Sequence, residues 1–270
     1  MKKTKIIYIL IAIFILGACS RVLISNRRQL NLIPKASMLQ TSFSQYGQFL
    51  EENVVSADAE KTAMVKRVGK RIQKAVEQYF VDNGLEEELK NYDWEFSLVE
   101  SNEVNAWCMP GGKVVFYTGI LPLTKDENGL AVVMGHEIAH AIADHGNERM
   151  SHGLMAQLGG VALAVAVHNK PQQTQQLWMN AFGAGTQLGV LLPFSRLQES
   201  EADQLGLIFM SMAGYNPNHA ISFWRRMAEK KGGQAPPEFV STHPSDKKRI
   251  REIEKQLPEA LKYYYASLKK

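Results

Sequence analysis

Residues 130–146 read LAVVMGHEIAHAIADHG, and the polar letters inside this apolar run decide what kind of fold surrounds it. A helix this rich in Leu, Val, Met, Ile and Ala belongs in a core, where His136, Glu137 and His140 would be costly without partners. On a helix, residues four apart lie one above the other, so His136 and His140 share a face. Neutral imidazole nitrogens suit zinc, and two of them on adjacent turns make half of a tetrahedral site. Glu137 lies about 100° around the helix from His136, within reach of a water at the metal without ligating the metal itself.

A second cluster lies sixty residues on. FSRLQESEADQLG (194–206) places Glu199 and Asp203 at a four-residue step in a helix-forming segment. Catalytic zinc commonly takes three protein ligands and keeps a fourth position for water, so Glu199 is expected as the third ligand after His136 and His140. A metal-bound histidine needs a partner for its other ring nitrogen, and Asp203 is expected to supply it. Glu201, two residues from Glu199, points elsewhere on the helix and reads as a surface residue. It is the competing candidate for the third ligand.

Outward from these helices, Met64, Val65, Val68, Ile72, Val76, Tyr79 and Phe80 recur at three- and four-residue steps, an amphipathic helix between Glu60 and Phe80. Trp94, Phe96 and Leu98 alternate with polar residues as in a half-buried strand. EVNAWCM and KVVFYTG flank Pro110-Gly111-Gly112 as a hairpin. From Leu130 onward the chain reads helical over 128–145, 153–167, 175–192, 195–213, 217–230 and 245–268, the last broken near Pro258. GLMAQLGGVALAVAV (153–167) is too short to span a bilayer comfortably and reads as a glycine- and alanine-rich helix packed over the active domain.

The chain has 270 residues, 45% of them apolar, enough for one core without staples. Lys plus Arg number 31 against 27 Asp plus Glu, and removing Lys2, Lys3 and Lys5 leaves 28 against 27, so a nucleic-acid partner is not suggested. Residues 1–18 combine those lysines with an apolar run from Ile6 to Leu16, the pattern of a secretory signal. LGAC at 16–19 resembles the bacterial lipobox, which makes Cys19 the expected site of lipidation and membrane attachment. Cys108 then remains as a buried structural thiol with no disulfide partner. Residues 19–57 read as a lipid-anchored spacer with a docking helix and 58–270 as the metal-site domain. His145 reads as a packing residue, and His152, His168 and His219 as solvent-facing.

GHEIAHAIADHGNER (135–149), ESEAD (199–203) and THPSDKKR (242–249) together resemble the HtpX and CAAX-prenyl-protease type of zinc metallopeptidases, including its small secreted BepA-like and LoiP-like members and the Oma-type enzymes. The resemblance covers residues 60–255. It implies an α+β fold, mostly helical and zincin-like, with a small antiparallel sheet whose edge strand faces the active-site cleft. It also implies one zinc ion per subunit held by His136, His140 and Glu199, with Glu137 as general base. His243 is implied as a regulatory ligand able to close the metal's open position and Arg249 as lying near the active site, and either His243 or Arg249 is a candidate oxyanion donor. Asn105 and Ala106 would lie along a bound peptide, because an exposed strand edge offers backbone groups to any extended chain.

The expected function is therefore a zinc endopeptidase, lipid-anchored at the bacterial cell envelope, on the outer membrane facing the periplasm. Misfolded or damaged envelope polypeptides are the expected substrates, and the envelope assembly machinery a partner. Two rivals differ in class: a zinc-stabilised, chaperone-like binding lipoprotein whose site His243 keeps closed, and a structural lipoprotein without metal.

Overall fold

The computed structural model describes residues 19–22, 25–230, 238–243 and 247–269; the expected signal segment 1–18 lies outside the described residues. In chain order the elements are β1 (Cys19–Arg21), β2 (Arg28–Leu30), α1 (Lys35–Glu52), α2 (Ala59–Asp82), β3 (Glu95–Val99), β4 (Ala106–Met109), β5 (Lys113–Tyr117), α3 (Leu121–Thr124), α4 (Glu127–Ile142), α5 (His145–Val167), α6 (Gln172–Thr186), α7 (Leu192–Met212), α8 (His219–Lys230), α9 (Glu238–Thr242) and α10 (Lys247–Ser267). Contacts divide the chain into two units, one of Ala36–Ala143 with Glu199–Lys270 and the other of Asp144–Gln198 with the N-terminal segment up to Lys35.

The first unit is built around α4. Asp126 caps this helix by accepting from the Gly129 N–H at 2.9 Å, and every residue from Gly129 to Ala141 is buried. A helix buried on all sides has no solvent face on which to leave a histidine, so the polar residues of HEIAH must be satisfied inside. Helix α2 presents the expected stripe, with Val65, Val68, Ile72, Val76 and Phe80 buried, and Asp58 caps its start.

The sheet has the order β3-β5-β4. β4 and β5 form the expected antiparallel hairpin, with Cys108 opposite Val114. β3 pairs with β5 in parallel, Phe96 opposite Val114, so the sheet is mixed. Side-chain periodicity marks a strand without specifying its direction, which is why this pairing was not legible. All five residues of β5 are buried, Val114 to Tyr117 forming the continuous run of a central strand, and β4 is left at an edge. The hairpin turn requires its glycines. Both Gly111 and Gly112 have φ +87°, and a Cβ would stand 2.5 Å from Phe43 at the first and 2.5 Å from Trp94 at the second.

Helix α10 runs through Pro258, where a break was expected. Arg249, Ile253, Leu257 and Ala260 line one buried face on both sides of the proline, and that packing carries the helix across the lost backbone donor.

In the second unit, β1 and β2 form an antiparallel ribbon, with Ser20 opposite Gln29. Glu148, fully buried near the start of α5, accepts from Arg27 Nη2 at 2.8 Å and from Gln198 Nε2 at 2.7 Å. Burial pushes its carboxyl up, but Arg27 and Gln198 outweigh that and hold it below the ordinary range. Asn147 donates to the Ile33 carbonyl at 2.7 Å, and Ser151 Oγ accepts from the Leu32 N–H at 2.9 Å, so the first turns of α5 anchor the segment after β2. Beyond them the expectation of a packed helix fails: from His152 to Ala166 every residue of α5 is exposed or half-buried. Gly159 and Gly160 meet Phe182 of α6, while Leu154, Leu158, Val161 and Val165 are exposed.

Candidate metal centre

His136 and His140 stand on consecutive turns of α4 with their Nε2 atoms 3.1 Å apart. Glu199, in α7, brings Oε2 to 3.3 Å from His136 Nε2 and Oε1 to 3.2 Å from His140 Nε2. His243, just past α9, adds Nδ1 at 3.1 Å from His136 Nε2 and 3.0 Å from Glu199 Oε1. One donor atom from each of the four lies within 4.8 Å of all the others. Donors bonded to an ion at about 2.0–2.1 Å stand about 3.3 Å apart at the corners of a tetrahedron, so the cluster has the size and the N₃O chemistry of a zinc site.

The helices reach this spacing through a contact that local sequence reading missed. Gly135 of α4 faces Gly206 of α7 so closely that a Cβ on the first would lie 2.7 Å from the Gly206 carbonyl oxygen, and a Cβ on the second 2.8 Å from the Gly135 carbonyl carbon. The two ligand-bearing helices therefore touch backbone to backbone, one residue before His136 on one side and seven after Glu199 on the other. A glycine beside each motif was the available signal, but nothing local says that the two meet.

Carboxylates and an arginine close the far side of the cluster. Asp203 Oδ1 is 3.0 Å from His136 Nδ1, so the His136 nitrogen turned away from the cluster has a carboxylate partner. Arg249 of α10 grips Asp203 with two bonds, Nε to Oδ2 and Nη2 to Oδ1, each 2.8 Å, and places Nη1 2.9 Å from Glu199 Oε2. The guanidinium lies 3.5 Å from the ring centroid of Trp224 in α8, a floor that sequence reading did not single out. Arg249 is thus engaged in holding the carboxylates. Glu201 is buried in the same helix, where it was expected at the surface, and is not among the four donors. Nearly every side of α7 is covered between Gln198 and Ser211, so no face there remains for a surface residue.

Burial and Arg249 push the His136 imidazole down, while Asp203 and Glu199 pull it up further, leaving it above its ordinary value. Protons therefore compete with a metal for this ring more strongly than they would for an ordinary imidazole. Zinc affinity measured by chelator competition is expected to fall from pH 7 to pH 6, by up to about tenfold for this one proton, since binding must release it. A pH-independent affinity would contradict this balance.

Glu137 is buried, with Oε1 3.4 Å from His243 Nε2. The His243 ring thus shows Nδ1 to the donors and Nε2 to Glu137, filling the space between them. Its arm is held at the other end too: the Phe239 N–H donates to the Val104 carbonyl at 3.2 Å, and the Phe239 ring stacks on Trp224 at 5.9 Å. Val104 precedes Asn105 and Ala106, where the expected peptide-binding edge begins. The Asn105 side chain accepts from the Ala106 N–H at 2.9 Å, its carbonyl accepts from the Tyr117 N–H at 3.1 Å, and Ala106 opens edge strand β4. Cys108, also on β4, has its thiol raised well above the ordinary value by burial and by Glu137, which excludes it as a thiolate nucleophile near neutral pH.

Residues 66–257 match the sequence model of Peptidase family M48. The chain is similar to mitochondrial metalloendopeptidase OMA1 of Schizosaccharomyces pombe, 39% identical over 242 residues that cover 88% of this chain and 66% of that protein. It is similar to the OMA1 metalloendopeptidase of Saccharomyces cerevisiae, 34% identical over 210 residues that cover 73% of this chain and 56% of that protein. The beta-barrel assembly-enhancing protease of Escherichia coli is 29% identical over 165 residues, 58% of this chain and 33% of that protein. The chain therefore spans between about one third and two thirds of the length of these relatives.

Proposed function

The chain belongs to peptidase family M48, and from that premise we propose that it is a zinc endopeptidase in which His136, His140 and Glu199 hold the ion and Glu137 is the general base. The observation that carries this reading is the four-donor cluster with the Glu137 carboxylate beside it. Zinc, when bound, supplies Lewis acidity and brings the pKa of water toward neutrality. Glu137 accepts the proton of the attacking water and returns it to the departing amine, a role that its buried position beside the cluster suits. Asp203 fixes the ring of His136, and Arg249 balances the charge of Asp203 and Glu199. Strand β4, paired only with β5 among the described residues, would take the substrate as an added strand along its other edge, from Asn105 and Ala106 onward.

In this reading the His243 imidazole, between Glu137 and Glu199, takes the position that the attacking water would need. The 238–243 arm is therefore read as a closed state that substrate or a partner displaces. A closed arm favoured about tenfold over the open one makes His243→Ala about tenfold more active on casein at unchanged zinc content. Equal or lower activity with zinc retained would remove the closed state. Zinc with no cleavage in either protein would favour the binding lipoprotein. A protein that takes up no zinc would leave only the structural reading.

The setting belongs to the same proposal: a chain lipidated at Cys19, attached to a bacterial envelope membrane, and acting on misfolded or damaged envelope polypeptides. Its support is the LGAC sequence at 16–19, after a lysine-led apolar run, and the similarity to a beta-barrel assembly-enhancing protease. Replacing Cys19 with Ser should abolish labelling of the protein by a radioactive fatty acid.

A further inference from the structure

Between Arg149 and Arg196 the sequence contains a single formally charged side chain, Lys170, in a chain whose charged fraction is 21%. The structure folds this stretch into α5 and α6 and, beyond Ser151, leaves every residue of the two helices but Val167 exposed or half-buried. Leu154, Leu158, Val161 and Val165 recur at four-, three- and four-residue steps and are 44%, 55%, 63% and 68% exposed. Leu177, Trp178, Leu188, Val190 and Leu192 are exposed on the returning arm. Near the tip of α5 the exposure is not confined to one face: Val161, Ala162, Ala164, Val165 and Ala166 are open around the helix. A protein partner covers one face of a helix, whereas a solvent of hydrocarbon surrounds it.

The hairpin also meets the backbone requirement of such a solvent. Its arms are helical, and Gln175 Nε2 donates to the His168 carbonyl at 2.9 Å and to the Lys170 carbonyl at 2.8 Å, so the connecting turn is capped by the protein itself. The arms approach through glycine: a Cβ on Gly159 would lie 2.9 Å from the Phe182 ring, the small-against-large contact by which helices associate where water gives no driving force. From Met150 to Val167, α5 extends about 27 Å, against a hydrocarbon thickness of about 30 Å. Charge gathers at the base. Arg149 and Arg196 flank the hairpin, and Arg21 and Arg28 are exposed on the β1–β2 ribbon of the same unit, while Glu148 is taken up by Arg27. That arrangement matches a surface of anionic headgroups beside the apolar layer.

We propose that the α5–α6 hairpin is a bilayer-seated element, with its arginine base at anionic headgroups and its arms in the hydrocarbon, a membrane site separate from Cys19. The proposal does not depend on the peptidase reading. The test is lipid quenching of Trp178 in the full chain. Vesicles of phosphatidylcholine and phosphatidylglycerol are prepared with ordinary or mid-chain-brominated acyl groups, and the emission of a Trp178→Phe protein is subtracted to isolate this residue. Brominated lipid should reduce the Trp178 signal at least about twofold, and a Val161→Asp, Val165→Asp protein should lose the quenching with its thermal unfolding unchanged, because both side chains are exposed. Equal Trp178 emission in the two lipids overturns the proposal. So does quenching that persists undiminished in the double variant, and so does a Trp178 shielded in a lipid-free dimer, which would make a second copy the occupant.

Discussion

Replacing Glu137 with Gln is expected to lower peptide-bond cleavage by about 10²–10⁴-fold while zinc content and unfolding temperature stay close to those of the parent protein. Gln preserves the shape of the side chain and removes its ability to take a proton. Glu137 is not one of the four clustered donors, so the metal site should survive the change. The measurement needs three readouts on one preparation: zinc by elemental analysis, unfolding by calorimetry, and cleavage of an unfolded protein substrate. It is best made in the His243→Ala background, where the 3.4 Å approach of His243 to Glu137 no longer obscures the effect. Cleavage that persists at the parent rate would remove Glu137 as the base, and loss of zinc would reassign it to metal binding.

Arg249→Ala should produce the largest loss of stability of any single change in the site. The side chain is buried, bonded twice to Asp203, paired with Glu199 and stacked on Trp224. Removing it leaves two buried carboxylates without their cation, a cost of about 3–5 kcal/mol, or a fall of about 10 °C in Tm. Zinc should recover part of this by balancing Glu199, but Asp203 is not among the four donors and keeps only His136 as its partner. Lys at this position should rescue poorly, since it offers neither the two-pronged grip nor the flat stacking surface.

The pH dependence of that loss carries a sign. Burial pushes the Asp203 carboxyl up, and Arg249 and His136 more than reverse this, holding it below the ordinary range. A carboxylate depressed in the folded state contributes stability above its unfolded pKa, about 3.9, and loses that contribution as the pH falls through the folded value. The gap in stability between parent and Arg249→Ala, measured in chelator, should therefore be widest near pH 7 and narrow below about pH 4. A gap that stays constant on acidification would mean that the arginine acts mainly through packing on Trp224.

Spacing along a helix is a local property, and the local part of this site was readable. Four-residue steps put His136 with His140 and Glu199 with Asp203, and the folded chain brings the two faces together. The α2 stripe and the β4–β5 hairpin were readable for the same reason. The parts that were not depend on distant elements. Trp224 lies under Arg249 only because α8 and α10 pack together, and Phe239 meets Val104 through a long-range backbone bond. Glu201 was placed at the surface because a period of 3.6 says which residues share a face without saying how many faces are covered. The α5 helix failed in the opposite sense: apolar composition suggested cover that the structure does not provide.

The meeting of Gly135 with Gly206 sets a limit on how the sequence around the centre can drift. When two helices are separated by side chains, each exchange of a large residue for a small one changes the distance between their axes, and anything carried on both helices is detuned. Here main chain rests on main chain, so the gauge between the imidazoles and the Glu199 carboxylate does not depend on side-chain volume. Buried neighbours such as Leu130, Met134, Leu205 and Phe209 are then free to exchange bulk among themselves over many generations. The two positions that cannot take part in that exchange are the ones that carry no side chain at all.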